Sequence, residues 1–336
     1  DRSVSRGLGD VYKRQELEYK YFEFNKLVTN FWLNVEFLKR GHKVFVATKN
    51  MLNICNNKPF CFCANSFFDS GELFKENELK NTMLNDFDVI FFRPDPPVDI
   101  NYINATYILS MVQKDKTLVL NSVQAIRDKN EKLYINDFPE IAPDNIVTSN
   151  TKLIREFLKK HREIVIKPLN RCFSSGVFYL FDGDKNTNTI INTATDNGKT
   201  TVMVQEFLPD IKEGDKRLIF ICGEILDYCV QKVATNDDFK FNEHCDANLK
   251  LCTITPEQKA MEGVIAKKLM DDGVIMAGLD VIADKVIEIN ITSPCFFIKE
   301  INSLYGINLE KIITDKLENY IFKTLNEHGS RVFSKC

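Results

Sequence analysis

The chain has 336 residues, enough at roughly 150 residues per domain for two packed domains or three small ones, which excludes a peptide hormone, a disulfide scaffold or a small zinc module. Hydrophobic residues make up 44% and charged residues 27%, with 14 Gly and 10 Pro, a globular mixture and not a disordered or fibrous one. Lys and Arg number 44 against 47 Asp and Glu, a net charge of -3, so no general field draws in nucleic acid or an anionic membrane, and any polyanion must be held by a local site.

Residues 1–15 open on Asp1 and carry neither a strand-like apolar run nor helical periodicity. They are expected to be foreign to the native protein and contribute nothing to the fold. They lack the apolar core of a secretory signal, and no apolar stretch approaches the roughly 18 to 20 residues that span a bilayer; the expectation is a cytoplasmic protein. The ten cysteines form no C-x-x-C pair, and reduced thiols acting as small apolar residues are preferred over a metal site or disulfides. His244 beside Cys245 is a weak hint of a ligand cluster.

In chain order, Leu27, Phe31, Val35 and Leu38 mark a helix that stops at Gly41, and residues 43–47 follow as a strand. A strand at 88–93, a turn with Pro94, Pro96 and Pro97, a helix through Tyr107–Leu109 and a strand at 117–121 complete the βαβ rhythm of a parallel sheet with covering helices. This first domain ends near residue 125. Ser149 or Asn150 then caps a helix carrying Leu153, Ile154, Phe157 and Leu158, leading to a strand at 163–167. Strands at 176–181, 200–207 and 217–221 follow, the last turned by Cys222 and Gly223 into 225–233, and such hairpins imply antiparallel pairing. One long helix interrupts them. Thr255 caps it, Pro256 takes its first position, Gln258 completes a capping box, and Met261, Val264, Ile265 and Leu269 form the buried stripe.

The most informative stretch is 277–294, a hairpin turned at Ala283–Lys285. Glu288 and Asn290, two apart on one strand, share a sheet face that Asp280 reaches from the partner strand. Two carboxylates and an amide oxygen form a hard oxygen cluster suited to Mg²⁺, although Glu-x-Asn alone reads better as a solvated polar face on a half-buried hairpin, and it is the rest of the constellation that reverses this. Lys132 alone is a surface-helix lysine, whereas Lys167 ends an apolar strand against Pro168, a place from which an ammonium can meet a phosphate as a point charge. Residues Val204–Pro209 leave a strand and offer backbone groups to a base edge. Lys212–Arg217 then brings an arginine into the next strand.

Taken together, Phe92–Asp99 with Ala105–Leu109, Arg127–Leu133, Ile166–Leu169, Gln205–Pro209, Gly214–Arg217 and Gly278–Pro294 resemble prokaryotic glutathione synthetase, an ATP-grasp ligase family. The likeness runs from about residue 22 to about residue 322 in order and spacing. It implies an α/β and α+β chain: an N-terminal βαβ (pre-ATP-grasp) domain, then an ATP-grasp fold with a small lid subdomain and an antiparallel sheet. The expected boundaries are 16–125 for the substrate-side α/β domain, 126–204 for the lid and 205–325 for the C-terminal domain with the metal site, with 326–336 a tail.

The resemblance also implies roles. Lys132 and Lys167 match lysines on ATP phosphates, and Gln205, Glu206, Phe207 and Leu208 match the segment on adenine and ribose, with Asp215 beside the nucleotide. Arg217 matches the arginine that steadies the transferring phosphoryl group, while Asp280, Glu288 and Asn290 match the metal ligands, for Mg²⁺ with Mn²⁺ as the alternative. Arg93, Tyr107, Asn242 and Ser293 match substrate-side positions. The implied reaction phosphorylates the cysteinyl carboxylate of γ-glutamylcysteine, and glycine attacks the acyl phosphate to give glutathione, ADP and phosphate. Phosphoryl transfer needs positioning and cations, which these residue types supply, and the reactive acyl phosphate calls for a site that closes over it. A homo-oligomer, as a tetramer, is implied as well; no nucleic-acid or membrane partner is expected.

Three departures stand against the family pattern. The loop after Lys167, Asn170–Gly176, has one glycine where several are expected, and Cys172 and Phe173 obstruct close approach of backbone to phosphate. The flap segment Thr235–Lys250 lacks glycine and arginine and offers Lys240, which cannot reproduce a bidentate carboxylate clamp. The family's first strand and the loop after it are expected to be missing, and Pro94 stands where a basic residue is usual. The leading reading is a working ligase. The alternatives are a degenerate ATP-grasp protein that binds nucleotide or peptide without efficient turnover, or another carboxylate–amine ligase.

Overall fold

The computed structural model describes residues 26, 28–95, 97–171, 175–233, 248–294 and 297–327. The opening segment 1–15, Leu27, Pro96, Cys172, Phe173, Lys240, Asn242, His244, Cys245 and most of the expected flap lie outside the described residues. In chain order the elements are α1 (Thr29–Lys39), β1 (Phe45–Val46), β2 (Leu52–Cys55), β3 (Lys58–Asp69), β4 (Glu72–Lys75), β5 (Lys80–Met83), β6 (Val89–Phe91), α2 (Ile100–Leu109) and β7 (Leu118–Leu120). They continue with α3 (Val123–Asp128), β8 (Asn145–Thr148), α4 (Thr151–His161), β9 (Glu163–Pro168), β10 (Phe178–Phe181), α5 (Thr187–Ala194) and β11 (Val202–Glu206). The remainder is β12 (Asp215–Ile221), β13 (Glu224–Val233), β14 (Asn248–Leu251), α6 (Pro256–Asp271), β15 (Met276–Ile282), β16 (Lys285–Asn290), α7 (Ile298–Tyr305) and α8 (Leu309–Glu327). No helix among the described residues is long and apolar enough to cross a membrane.

The chain divides into two compact units, one of residues 1–90, 107–119 and 295–336, the other of residues 91–106 and 120–294. In the first, the twelve-residue β3 is the hub, pairing antiparallel with β1, β2, β4 and β5. Residues 52–83, unassigned by periodicity, thus build a sheet of their own, and the strand expected at 43–47 shrinks to two residues joined antiparallel to β3. The cause is visible along β3: Cys61 and Cys63 are buried while Phe62 is 40% exposed, so an apolar residue on the outer face erases the alternation that marks a strand. The β2–β3 turn does carry a signal, since Asn56 and Asn57 both adopt left-handed backbone (φ 48° and 64°), as a tight hairpin requires. Arg40 at the end of α1 donates to Glu36, to Asp315 and Glu318 of α8 and to the Lys311 carbonyl.

The βαβ expectation holds for β6, α2 and β7. Leu118 N–H donates to Asp88 O and Phe92 N–H to Leu120 O, bonds that advance in the same direction on both strands and so define a parallel pair.

The second unit contains two antiparallel sheets, one in the order β10-β9-β11-β8 and the other β14-β13-β12-β15-β16. In the four-stranded sheet, Ile164, Ile166, Val202 and Val204 turn one face into a core with Ile154, Phe157 and Leu158 of α4. The alternate positions Lys167, Met203 and Gln205 therefore face the other way, and Met203 joins the core of the five-stranded sheet. Asn150, not Ser149, caps α4, its side chain accepting from Lys152 and Leu153 amides. The capping box of Thr255 and Gln258 on α6 forms as expected, but Val264 is 40% exposed and does not belong to the buried stripe.

A single buried amide ties this sheet to the start of the unit's main segment. Asn121 accepts from the Ile275 and Met276 amides at 2.8 and 3.0 Å and donates to the Met276 and Ile291 carbonyls, both at 2.7 Å. It thereby fixes the start of β15 to the end of β16. Replacing it strands several buried backbone groups at once, so Asn121→Ala should lower unfolding stability by about 3 kcal/mol, read as a lower urea midpoint at unchanged slope.

Candidate active site

The site is built where the two sheets of the second unit present polar residues. Gly214 opens β12 at φ +104°, and a Cβ there would lie 2.2 Å from the Lys232 carbonyl, so only glycine allows the chain to enter the strand at Asp215. Asp215 and Arg217, two apart, then share a face. In the β12–β15 register Arg217 lies opposite Asp280, and in the β15–β16 register Asp280 lies opposite Glu288 and Gly278 opposite Asn290. Directly opposed residues have Cβ atoms roughly 4.5–5.5 Å apart, so pairing alone aligns Arg217, Asp280 and Glu288 in a row.

The row is wired. Arg217 donates to both oxygens of Asp280, Nε at 2.7 Å and Nη2 at 2.8 Å, a bidentate fork. Asn290 donates to Asp280 at 3.1 Å. Lys132, whose side chain is 7% exposed, reaches Glu288 at 3.2 Å and donates to the Arg171 carbonyl at 2.7 Å. Gln205 donates to the Ile287 carbonyl at 3.4 Å, joining the other sheet to β16.

Electrostatics follow from burial and these partners. Burial pushes the Asp280 carboxyl up, but the adjacent Arg217 outweighs it and the net shift is down, so this acid is held charged. Burial lowers Arg217, yet Asp280 more than restores it and the guanidinium is firmly protonated. Asp215 behaves differently: burial, opposed by Lys232, pushes it up to about 6, and its Oδ1 is buried without a hydrogen-bond partner among the described residues. Lys167 is 9% exposed. Burial brings its ammonium down to about 8, with Lys132 adding to the fall and Glu288, Asp280 and Asp215 opposing it.

Glu206 and Phe207 are committed locally. The Glu206 side chain accepts from the Asp144 amide at 2.9 Å, and the Glu206 and Phe207 amides donate to the Asp144 and Glu163 carbonyls. Leu208 follows in the connection to β12. Arg93 donates to the Pro294 carbonyl at 3.0 Å and lies 3.1 Å from the Met276 sulfur, which sets it beside the Ser293 segment. Tyr107 belongs to the first unit and is 56% exposed. Three residues not singled out by pattern are built into the site: Asn130, which donates to the Leu169 carbonyl at 2.8 Å, Glu131, whose carboxylate accepts from Thr292, and Thr292 itself. Asn130 and Glu131 stand next to Lys132 in the sequence, and adjacency was their only signal.

The donor set suits a hard divalent cation: Asp280 and Glu288 are neighbouring carboxylates with the Asn290 amide alongside, and Glu288 engages Lys132 through Oε1, leaving Oε2 for another partner. Among the described residues no three His, Cys, Asp or Glu side chains converge as ligands, so a metal here depends on Asn290 as well as the two acids.

Comparison with known proteins fits this geometry. The model of the prokaryotic glutathione synthetase N-terminal domain matches residues 26–127 and that of the prokaryotic glutathione synthetase ATP-grasp domain matches residues 131–306. The chain belongs to the prokaryotic glutathione synthetase family. Glutathione synthetase of Synechococcus elongatus is 38% identical over 287 residues, covering 80% of this chain and 86% of that relative. Glutathione synthetase of Synechocystis sp. is 34% identical, covering 82% and 89%. Among solved structures, the ATP-grasp ligase PsnB, complexed with a phosphomimetic variant of its minimal precursor, Mg and ADP, superposes with a TM-score of 0.59 at 15% identity, covering 87% of this chain and 94% of that one. As a member of the prokaryotic glutathione synthetase family, with an ATP-grasp fold, the chain is an ATP-dependent carboxylate–amine ligase that uses a divalent metal.

The Lys167 ammonium generates a pH prediction. Nucleotide binding that requires its charge should weaken about tenfold between pH 7 and pH 9, as the group loses its proton on passing through about 8, and Lys167→Met should remove that dependence; calorimetric titration with ADP reads both. Stability carries the opposite sign. An unfolded chain holds this proton up to the ordinary 10.5, so the contribution of Lys167 to stability rises with pH between about 8 and 10.5.

Proposed function

We propose that this chain joins γ-glutamylcysteine to glycine with ATP, forming glutathione, ADP and phosphate through an acyl phosphate. The single observation that supports this most is the row of Arg217, Asp280 and Glu288, buried at Asp280 and partly buried at its two ends, with Lys132 and Lys167 at its side, within a chain of this family.

In this reading Lys132 and Lys167 bind the nucleotide phosphates. Both ammonium groups sit in surroundings that raise the strength of a charge–charge contact. Arg217, held flat by the fork to Asp280, keeps a fixed cation where charge spreads over the phosphoryl oxygens as they pass to the dipeptide carboxylate. Gln205 to Leu208 border the base and ribose, with Glu206 and Phe207 held rigid by their own backbone bonds, and Asp215 lies beside the nucleotide. Asp280, Glu288 and Asn290 hold the metal, Mg²⁺ with Mn²⁺ as the alternative, since an all-oxygen donor set suits both. When bound, the metal supplies Lewis-acid neutralisation of phosphate charge. Arg93, with its guanidinium anchored on the Pro294 carbonyl, and Ser293 take the dipeptide side, joined by Tyr107 and Asn242. Glycine attacks once the acyl phosphate has formed, and a tetrameric assembly, read by light scattering, accompanies this reading.

The test is ADP release from Mg-ATP, γ-glutamylcysteine and glycine, with glutathione quantified in parallel. Release should depend on both the dipeptide and glycine, and Glu288→Gln and Lys167→Ala should each lower kcat/KM at least a hundredfold, by loss of electrostatic stabilisation. ADP formation that ignores glycine, or nucleotide binding with no turnover at all, sinks the proposal.

A further inference from the structure

The tripeptide Asn130–Glu131–Lys132 grips two other segments, 169–171 and 288–292, with three successive side chains. Asn130 folds over its own turn, its Oδ1 accepting from the Lys132 and Leu133 amides at 3.1 and 3.4 Å while its Nδ2 holds the Leu169 carbonyl. Lys132 takes Glu288 of β16. Between them, Glu131 uses both its main chain and its side chain. Its carbonyl accepts from the Ile289 amide at 3.0 Å, and Oε1 accepts from both the amide and the hydroxyl of Thr292, at 2.9 and 2.7 Å. Thr292 is 4% exposed.

These contacts bracket one position. Residues 131 and 132 hold 288, 289 and 292, so Asn290 sits on a length of chain fastened on both sides, and β16 ends there, at Asn290. A strand end in an antiparallel sheet has lost its ladder bonds and splays freely unless something replaces them. Asn121 holds the Ile291 carbonyl, and Glu131 fastens the next residue, with a carboxylate that satisfies both donors of Thr292 through one oxygen. A residue without a side-chain acceptor at 131 could fasten Ile289 through its carbonyl, but not Thr292.

We propose that Glu131 is a positioning residue for the metal side of the site: by clamping β16 on either side of Asn290 it sets the angle at which Asn290 and Glu288 meet the divalent cation. This rests on the reading of Asp280, Glu288 and Asn290 as metal ligands given above. Groups that orient metal ligands from behind typically change metal affinity or activity 10- to 100-fold when removed, and Glu131 has that relation to two ligands together.

The experiment uses the full chain, with Mn²⁺ as a spectroscopic probe in the presence of ADP, read by electron paramagnetic resonance, and with amide hydrogen exchange at Ile289 and Thr292. Glu131→Ala should weaken Mn²⁺ binding about tenfold or more and speed exchange at the Thr292 amide, while exchange at Ile289, whose carbonyl partner alanine retains, and across the β9–β11 pairing stays as in the parent. Glu131→Gln keeps an oxygen acceptor and should recover binding to within about threefold. In steady state, Glu131→Ala should raise the Mg²⁺ concentration for half-maximal rate and, at saturating Mg²⁺, leave the KM for ATP unchanged. Mn²⁺ binding equal to the parent, or exchange accelerated evenly over the whole unit, overturns the proposal. If Glu131→Ala does not fold, Thr292→Val decides, because it keeps shape and loses one bond: weaker Mn²⁺ binding supports the clamp and unchanged binding overturns it. A parent chain that binds Mn²⁺ but makes no glutathione removes the ligase reading and leaves the clamp in place, whereas a parent that binds no Mn²⁺ removes the clamp.

Discussion

A guanidinium and a carboxylate, buried side by side on adjacent strands, organise this molecule. Arg217 and Asp280 face each other in register across β12 and β15, and neither would be tolerable alone in so dry a place. An isolated buried charge costs several kcal/mol, and such a pair at best breaks even against apolar residues of the same size. The pair therefore has its meaning in placement and not in stability. It keeps an arginine permanently charged and planar at one end of the cleft, and it keeps an acid ionised beside a second acid, Glu288, that would otherwise repel it.

Everything near the pair serves to hold this arrangement dry and in register. The apolar core of the five-stranded sheet lies on one side, and Met203 carries it across to the four-stranded sheet. Because strand residues alternate, the same strand that sends Ile166 into the α4 core must send Lys167 the other way. A lysine in that place is a consequence of period two. Burial lowers the pKa of that lysine and raises that of Asp215, both residues being almost fully withdrawn from water.

Much of this was legible in the sequence, and the exceptions have causes. The hairpin at 277–294 carried a strong signal because alternation, a short turn and two polar residues two apart all agree, and the row of ligand candidates followed from it. The capping box of α6 was equally plain. The sheet at 52–83 was hidden because Phe62, Phe67 and Phe74 lie on its exposed face, each more than a third accessible, so the usual contrast between inside and outside is missing. Val264 was misplaced because a helical stripe assigned by spacing is wider than the contact that buries it. Asn121, Asn130, Glu131 and Thr292 escaped for another reason: each is bonded to a partner distant in the chain, 39 residues away for Asn130 and more than 150 for the others, and no local pattern encodes such a bond.

The bond between Lys132 and Glu288 has a thermodynamic consequence. On the proposed roles of Glu288 toward the metal and Lys132 toward phosphate, the ammonium and the carboxylate satisfy each other when neither ligand is bound, so each is partly withheld from its own ligand. On those roles a cation that engages Glu288 would release Lys132 toward phosphate, and a phosphate that draws Lys132 away would leave Glu288 open to the cation. The two ligands would then favour each other, and reciprocity requires that the factor by which one strengthens the other be the same in both directions. A single ion pair would thus make metal and nucleotide cooperative, with no change of shape.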